Sequence, residues 1–430
     1  MRDTRRRRRG LYIVRNDILL LIGGAVAGFL LLVLVYCIPV SPMAEHIYQS
    51  LPLLKREFSD SELLVGYPGS LTGSFTDCLM LENAIYDSDE HTMLEQILRM
   101  YRGESGTGDG WAPGLSLEDY VGKTEQPREV EYARYWHGYL VVLKPLLFLT
   151  SFNTIRIIAS TVQLLLVGAV ALACSRRKEE FLGWGFLVSV PFLYYFSLFT
   201  SLSLSICFYL MAVLLLVQLR WDGQLRKKGW YGALFLTAGM ATAYFDFLTY
   251  PLVTLGFPLC VCLYFEKNGA KEACRKLVGY SVQWGVGYLG LWAIKWVLAD
   301  VLTGSNTIQD GIGTIFTRTD AAADSTRIEG FLKVLKLNAS VYGNRAFLLL
   351  ILGIAAWLLI HICRKRDDIY RERFTAGAVL FLVALYPFIW FFLTQNHSEQ
   401  HWIYTFKIFS VSIFAGICGV GKICGGGEAA

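Results

Sequence analysis

The chain has 430 residues, 54% of them hydrophobic and 17% charged, with a formal net charge of +5 and a mean hydropathy of +0.43. That balance places it with polytopic membrane proteins, because a soluble core of this size does not need so much apolar sequence. Its basic residues cluster between apolar runs, where the positive-inside rule puts them, so the net charge gives no nucleic-acid partner.

Residues 1–17 form a basic tail with Arg5 to Arg9 and Arg15, and 18–38 is an apolar run of the length that crosses roughly 30 Å of hydrocarbon. The run is too long for a signal-peptide core and reads as a retained signal anchor. Further spans are expected at 154–174, 181–197, 200–219, 230–250, 251–265, 278–299, 346–363, 374–393 and 403–420, about ten in all. Arg176 to Lys178, Arg220 with Arg226 to Lys228, Lys267 to Lys276, Arg364 to Arg373 and Lys422 fall on alternate connections. Both termini, the second being 421–430, are therefore expected on the cytoplasmic side. The other side receives 39–153, 301–345 and the turn Thr394 to Trp402, so chemistry is expected there. The fold class expected is an all-α polytopic membrane protein with a large first extracytoplasmic loop containing amphipathic helices.

The first loop opens with Ser41-Pro42, an N-cap and first-turn pair, and Ile47, Leu51, Leu54 and Phe58 recur at helical spacing. This is an amphipathic helix, on the membrane surface or packed on its own loop. A short helix over Cys78 to Ile85 is capped near Thr76 or Asp77, and Met93, Ile97, Leu98 and Tyr101 repeat the spacing. Gly103 to Gly114, around Trp111, reads as a loop able to cover a substrate. The apolar run Tyr139 to Leu149 is too short to cross and is interrupted by Lys144-Pro145, so a re-entrant or interfacial helix is expected. The span group 154–300, the loop 301–345 and the group 346–420 complete the chain.

Asp77 can act as a general base toward a hydroxyl or cap a helix, with Glu82 as its understudy. Around the last outer turn, His397, His401, Tyr404 and Lys407 share one helical face that can hold a phosphate, beside the interfacial Trp402. Lys144, Arg156, Lys295 and Arg345 lie at the same depth, where an ionisable group faces an interior partner or snorkels. Asp246 is the expected partner of Lys295. Tyr135, Trp136, His137, Tyr244 and Trp402 offer flat faces to sugars, and Asp246 is expected among the sugar or acceptor contacts with them. The ten cysteines map mostly to spans or cytoplasmic connections and form neither a disulfide framework nor a zinc pattern. Asn338 and Asn396 begin glycosylation sequons.

The order of a cytoplasmic N-terminus, a large first outer loop with an acidic residue and many spans resembles the GT-C superfamily of membrane glycosyltransferases. So do Thr76 to Leu81, Tyr135 to Tyr139 and His397 to Lys407, which are similar to segments of bacterial membrane proteins of this type. The resemblance implies transfer of a sugar from a polyprenyl-phosphate donor to a glycan, glycolipid or protein acceptor, with inversion and with Asp77 as base. It implies a multi-pass protein of the bacterial plasma membrane, or of the endoplasmic reticulum if eukaryotic, active on the extracytoplasmic face. Asp77 stands between Thr76 and Cys78 without an adjacent acidic partner, which leaves a divalent metal, Mg or Mn, open as cofactor. No long domain follows the last span, so the acceptor falls to the first loop and 301–345. A transporter, flippase or polymerase-like handler of a lipid-linked saccharide is the alternative.

Overall fold

A computed structural model describes residues 2–57, 62–104, 113–123, 128–322, 325–365 and 371–424. Phe58, most of the glycine-rich loop with Trp111, Arg366 and the terminal glycines lie outside the described residues. After α1 (Arg2–Tyr36) come α2 (Val40–Tyr48), α3 (Leu51–Glu57), α4 (Ser74–Ala84), α5 (Met93–Arg99), β1 (Arg102–Glu104), α6 (Pro113–Gly122), β2 (Arg128–Val130) and α7 (Leu140–Leu149). Next are α8 (Phe152–Arg176), α9 (Glu180–Ser189), α10 (Tyr195–Thr200), α11 (Leu202–Lys228), α12 (Tyr231–Phe245), α13 (Val253–Tyr264) and α14 (Gly269–Thr303). The chain ends through α15 (Thr307–Thr319), α16 (Arg327–Ser340), α17 (Arg345–Arg364), α18 (Arg371–Ala384), α19 (Tyr386–Leu393), α20 (Gln395–Gln400), α21 (Trp402–Thr405) and α22 (Phe409–Cys424). The only sheet among the described residues is the antiparallel pair β1–β2, with Arg102 opposite Val130.

The protein is an all-α membrane protein. Among the described residues, seven helical stretches are long and apolar enough to cross a membrane: Arg15–Tyr36, Phe152–Arg176, Leu202–Lys228, Gly269–Thr303, Arg345–Arg364, Phe374–Leu393 and Trp402–Cys424. The expected spans at 181–197, 230–250 and 251–265 fall on shorter helices. Pro191 interrupts the first of these and Pro258 lies inside the third, α13, where it removes a helix hydrogen bond. α13 is buried from Val253 to Leu263, which explains why its sequence is apolar all round. α17 buries none of its residues and stands at the periphery of the bundle.

The tightest packing joins α12 to α14. A Cβ on Gly239 would lie 2.0 Å from the Trp284 carbonyl oxygen, and one on Gly287 would lie 2.1 Å from that of Leu236. Only glycine allows the two backbones to approach this closely.

The described residues of 40–149 pack against α1, α11 and α14 as a cap on the bundle. The expected amphipathic helix is two helices: α2 starts at Val40, one residue before Ser41, and the chain bends at Gln49 and Ser50 before Pro52 occupies the first turn of α3. Met43, Ile47, Leu51 and Leu54 are buried in the protein core, so this apolar face is covered by protein. α5 carries a reciprocal capping box between Thr92 and Glu95.

Candidate functional site: a polar chamber beside an apolar groove

Under the cap, α4, β1, the 132–139 segment, the 246–250 turn, α15 and the chain around His401 enclose a chamber of about 110 Å³. α4 contributes Thr76, Met80 and Asn83, and Arg102, Tyr132, His137, Tyr139, Thr249, Arg318, His401 and Tyr404 complete most of its wall. No carboxylate lines it among the described residues. Arg102 is paired with Glu82 at 3.0 Å and Glu104 at 3.2 Å. Arg318 has no carboxylate partner among the described residues, and its Nη1 donates to Nδ1 of His397.

The imidazoles are neutral at physiological pH. Burial first, and then the Arg318 charge, push His401 down to about 4. Burial pushes His137 down to about 3. Its Nε2 lies 3.0 Å from the Tyr132 carbonyl, and its Nδ1 lies 3.1 Å from the Tyr139 hydroxyl. His397 lies well below the usual range, through burial and then Arg318. Its Nε2–H therefore donates to the Leu248 carbonyl at 2.9 Å, leaving Nδ1 to accept from Arg318. His401 stacks on Tyr404 at 5.3 Å, and neither of its ring nitrogens has a hydrogen-bond partner among the described residues.

A second cavity, of about 370 Å³, lies between α7, α8 and α11. Its wall is almost wholly apolar, including Val142, Leu146, Ile155, Ile158, Val162, Ile206 and Phe245. Met80 and Tyr139 line both spaces, so the groove and the chamber share a wall.

Of the expected site residues, the chamber collects His137, His401 and Tyr404. Asp77 is turned away from it. Its carboxylate accepts from the Ser203 N–H at 2.9 Å, the Leu202 N–H at 2.9 Å and the Ser201 hydroxyl at 3.2 Å, at the start of α11. Asp77 thus caps a distant helix, with both of its oxygens engaged at the start of α11. Burial raises its pKa while the two backbone hydrogen bonds oppose that rise. Glu82 is also buried outside the chamber, paired with Arg102, and burial pushes it up to about 7.

Three lysines expected to hold phosphate serve the backbone instead. Lys144 Nζ donates to the Ala84 carbonyl at the end of α4, 2.8 Å away. Lys295 donates to Ile97 at 3.0 Å and Leu98 at 2.6 Å, in the last turn of α5. Lys407 donates to the Leu193 carbonyl at 2.7 Å, closing the Pro191–Leu193 turn, and to the Ser197 hydroxyl at 2.9 Å. Helix C-termini present unpaired carbonyls and negative potential, so a buried ammonium is best satisfied there. Lys295 consequently does not pair with Asp246, which instead accepts from the Thr249 N–H at 2.9 Å and from its hydroxyl.

Arg156 does not snorkel, because it forms a bidentate pair with Glu57 at 2.9 and 3.0 Å that ties α8 to α3. Arg345 is exposed at the start of α17. Trp136 and Tyr244 are structural pins: the indole donates to the Leu291 carbonyl at 2.8 Å, and the phenol to the Gly28 carbonyl at 2.7 Å. Trp402 packs with Tyr342 and Phe406 away from the chamber, while Tyr135 lies against Trp292 on α14. Sequence reasoning missed Arg318, Arg102, Asn83 and Tyr139. Arg318 sits in the 301–345 loop already expected to work, but its distance along the chain from His397 hides the pairing.

The chamber donors do not suit a divalent metal, which takes oxygen ligands from carboxylates. Among the described residues no three His, Cys, Asp or Glu side chains come together to hold one. The donor set of guanidinium, phenol, amide and hydroxyl suits an anion and a polyhydroxylated group. No protein-family model, curated protein or solved structure matches the chain.

Proposed function

We propose that the protein is a GT-C-like membrane glycosyltransferase that takes its sugar from a polyprenyl-phosphate donor. The observation that carries this reading is the common wall between an apolar groove and a chamber whose unneutralised cation is Arg318. A polyprenyl chain fits between α7, α8 and α11, with its phosphate at Arg318 and its sugar among Asn83, Tyr132 and Tyr139. In this reading the three shorter apolar segments also cross, giving ten crossings, cytoplasmic termini and an extracytoplasmic chamber. In this reading the compartment is the plasma membrane in a bacterium, or the endoplasmic reticulum if eukaryotic.

The acceptor hydroxyl attacks the anomeric carbon from the face opposite the phosphate, and the bond from that carbon to the phosphate oxygen breaks with inversion. Arg318 stabilises the departing phosphate, the main electrostatic contribution to such a step. Neutral His401 takes the hydroxyl proton, and the phosphate offsets the Arg318 charge, the smaller of the two causes that lower its pKa, burial being the larger. Asp77 supports the site by holding α11.

The test is transfer of a labelled sugar from a polyprenyl-phosphate donor to endogenous glycolipid, by protein reconstituted in liposomes. Arg318→Ala is expected to lower transfer about 100-fold or more, the scale of losing one oxyanion donor. His401→Asn should lower kcat with donor binding retained. Transfer unchanged in Arg318→Ala would remove the proposed site. Movement of the donor across the bilayer without transfer would assign the groove to a flippase.

A further inference from the structure

The connection between α14 and α17 carries two helices, α15 and α16, whose apolar side chains do not face the protein. α15 buries Thr307 and Gly311, and half-buried Arg318 continues that stripe into the chamber wall. Ile312, Ile315 and Phe316, at i, i+3 and i+4, instead stand exposed on a neighbouring face, Phe316 at 71%. Exposed Gln309, Gly313 and Thr317 form a third, polar face. α16 repeats the division. Gly330, Val334 and Asn338 are buried, whereas Ile328 and Leu332 are exposed one turn apart, Ile328 at 69%. Exposed Glu329, Lys333 and Lys336 make its polar face. A surface helix needs an apolar face only toward what it packs on, and here that face points away from the protein.

The neighbouring spans show what covers it. α14 exposes an apolar stripe from Val278 through Val282, Val286, Leu289 and Val297 to Val301, about 35 Å of helix at the α-helical rise. That length fills roughly 30 Å of hydrocarbon and leaves the last turn at its edge. Gly304, in the left-handed region, ends α14, and α15 folds back along it. A Cβ on Gly311 would lie 2.7 Å from the Trp296 ring, two turns before the end of α14. α15 therefore lies at a depth where Val297 and Val301 still face lipid. α16 sits at the matching end of the span Phe374–Leu393. Phe331 packs on Phe392 with ring centroids 5.8 Å apart, and Arg327 lies over the same ring at 5.6 Å, next to exposed Ile389 and Leu393. The bare faces thus continue the lipid-facing belt of two spans. We propose that α15 and α16 dock in the bilayer leaflet nearest the chamber, with Ile312, Ile315, Phe316, Ile328 and Leu332 in hydrocarbon. Gln309 and Gly313 face water, and Lys336 reaches the headgroups. Arg318, on the protein-facing stripe of α15, is thereby held at headgroup depth. The proposal does not rest on the transferase reading.

The experiment places the full chain in phosphatidylcholine liposomes with exposed Cys37 and Cys363 replaced by serine. A single nitroxide is attached at Phe316→Cys, Leu332→Cys or Gly313→Cys. Labels at the first two positions are expected to collide more with oxygen, which concentrates in hydrocarbon, than with a nickel chelate, which stays in water. At Gly313→Cys, where a Cβ meets nothing within 4 Å, the order should reverse. The unsubstituted chain gives a second measurement that no variant can disturb. Phosphatidylcholine carrying a diazirine in its acyl chain should label α15 and α16. Nickel collisions at Phe316→Cys and Leu332→Cys equal to those at Gly313→Cys, or no acyl-chain labelling of either helix, overturns the proposal. Low collision rates with both reagents, together with spin–spin broadening between labels, would overturn it in favour of a second copy of the chain on these faces.

Discussion

Asp77 shows how one residue type supports two chemistries until its neighbours are known. A carboxylate accepting two backbone N–H groups and a hydroxyl is matched by shape and charge, and an amide is not. Asp77→Asn must turn its NH2 toward a backbone N–H or leave a carbonyl short of donors. We expect a loss of about 2 kcal/mol of stability, read as a lower melting temperature in detergent, with residual transfer in the folded fraction. Full stability with abolished transfer would return Asp77 to the role of base. Glu82 gives a pH signature instead. Its folded pKa of about 7 lies above the ordinary 4.5, so its protonated form is the one the fold prefers. The resulting stability is fully present below pH 4.5 and is lost as pH rises through about 7. Melting temperature should therefore fall across that window relative to Glu82→Gln, in which the dependence flattens. The acidity of both residues is plain in the sequence. What decides their roles, a helix start more than a hundred residues away and a strand arginine, is not.

At the scale of elements, the buried lysines act as staples from the long helices to the ends of the short ones. Lys295 joins α14 to α5, and Lys407 joins the last long segment to the turn before α10. Hydropathy and spacing locate these lysines and their depth, yet they cannot say whether carbonyls or phosphate complete them. Lys295→Met keeps the length and removes the donor, leaving the Ile97 and Leu98 carbonyls unpaired. A loss of about 1–3 kcal/mol in stability is expected, together with unchanged affinity for polyprenyl phosphate measured by fluorescence quenching. Weaker lipid binding at unchanged melting temperature would instead make Lys295 a phosphate ligand. The same logic explains α2 and α3: the period of Ile47, Leu51 and Leu54 marks an apolar face, but only packing shows that protein covers it.

For the molecule as a whole, the alternating basic clusters predict which connections share a side. Gly223 and Gly313 each have room for a side chain and are exposed. With exposed Cys37 and Cys363 replaced, Gly313→Cys in intact cells should react with a membrane-impermeant maleimide, and Gly223→Cys only after lysis. Equal reactivity of both in intact cells would overturn the alternation. By itself the sequence determined the membrane class, the positions of the long helices and the segments from which the cap is built. These follow from hydrophobic period and run length, which are local. Tertiary structure alone decided that Arg318 meets His397, that Asp77 faces α11, and that groove and chamber share Met80 and Tyr139. Those pairings depend on how helices distant in sequence cross and on which buried polar groups satisfy one another, and no local pattern encodes either.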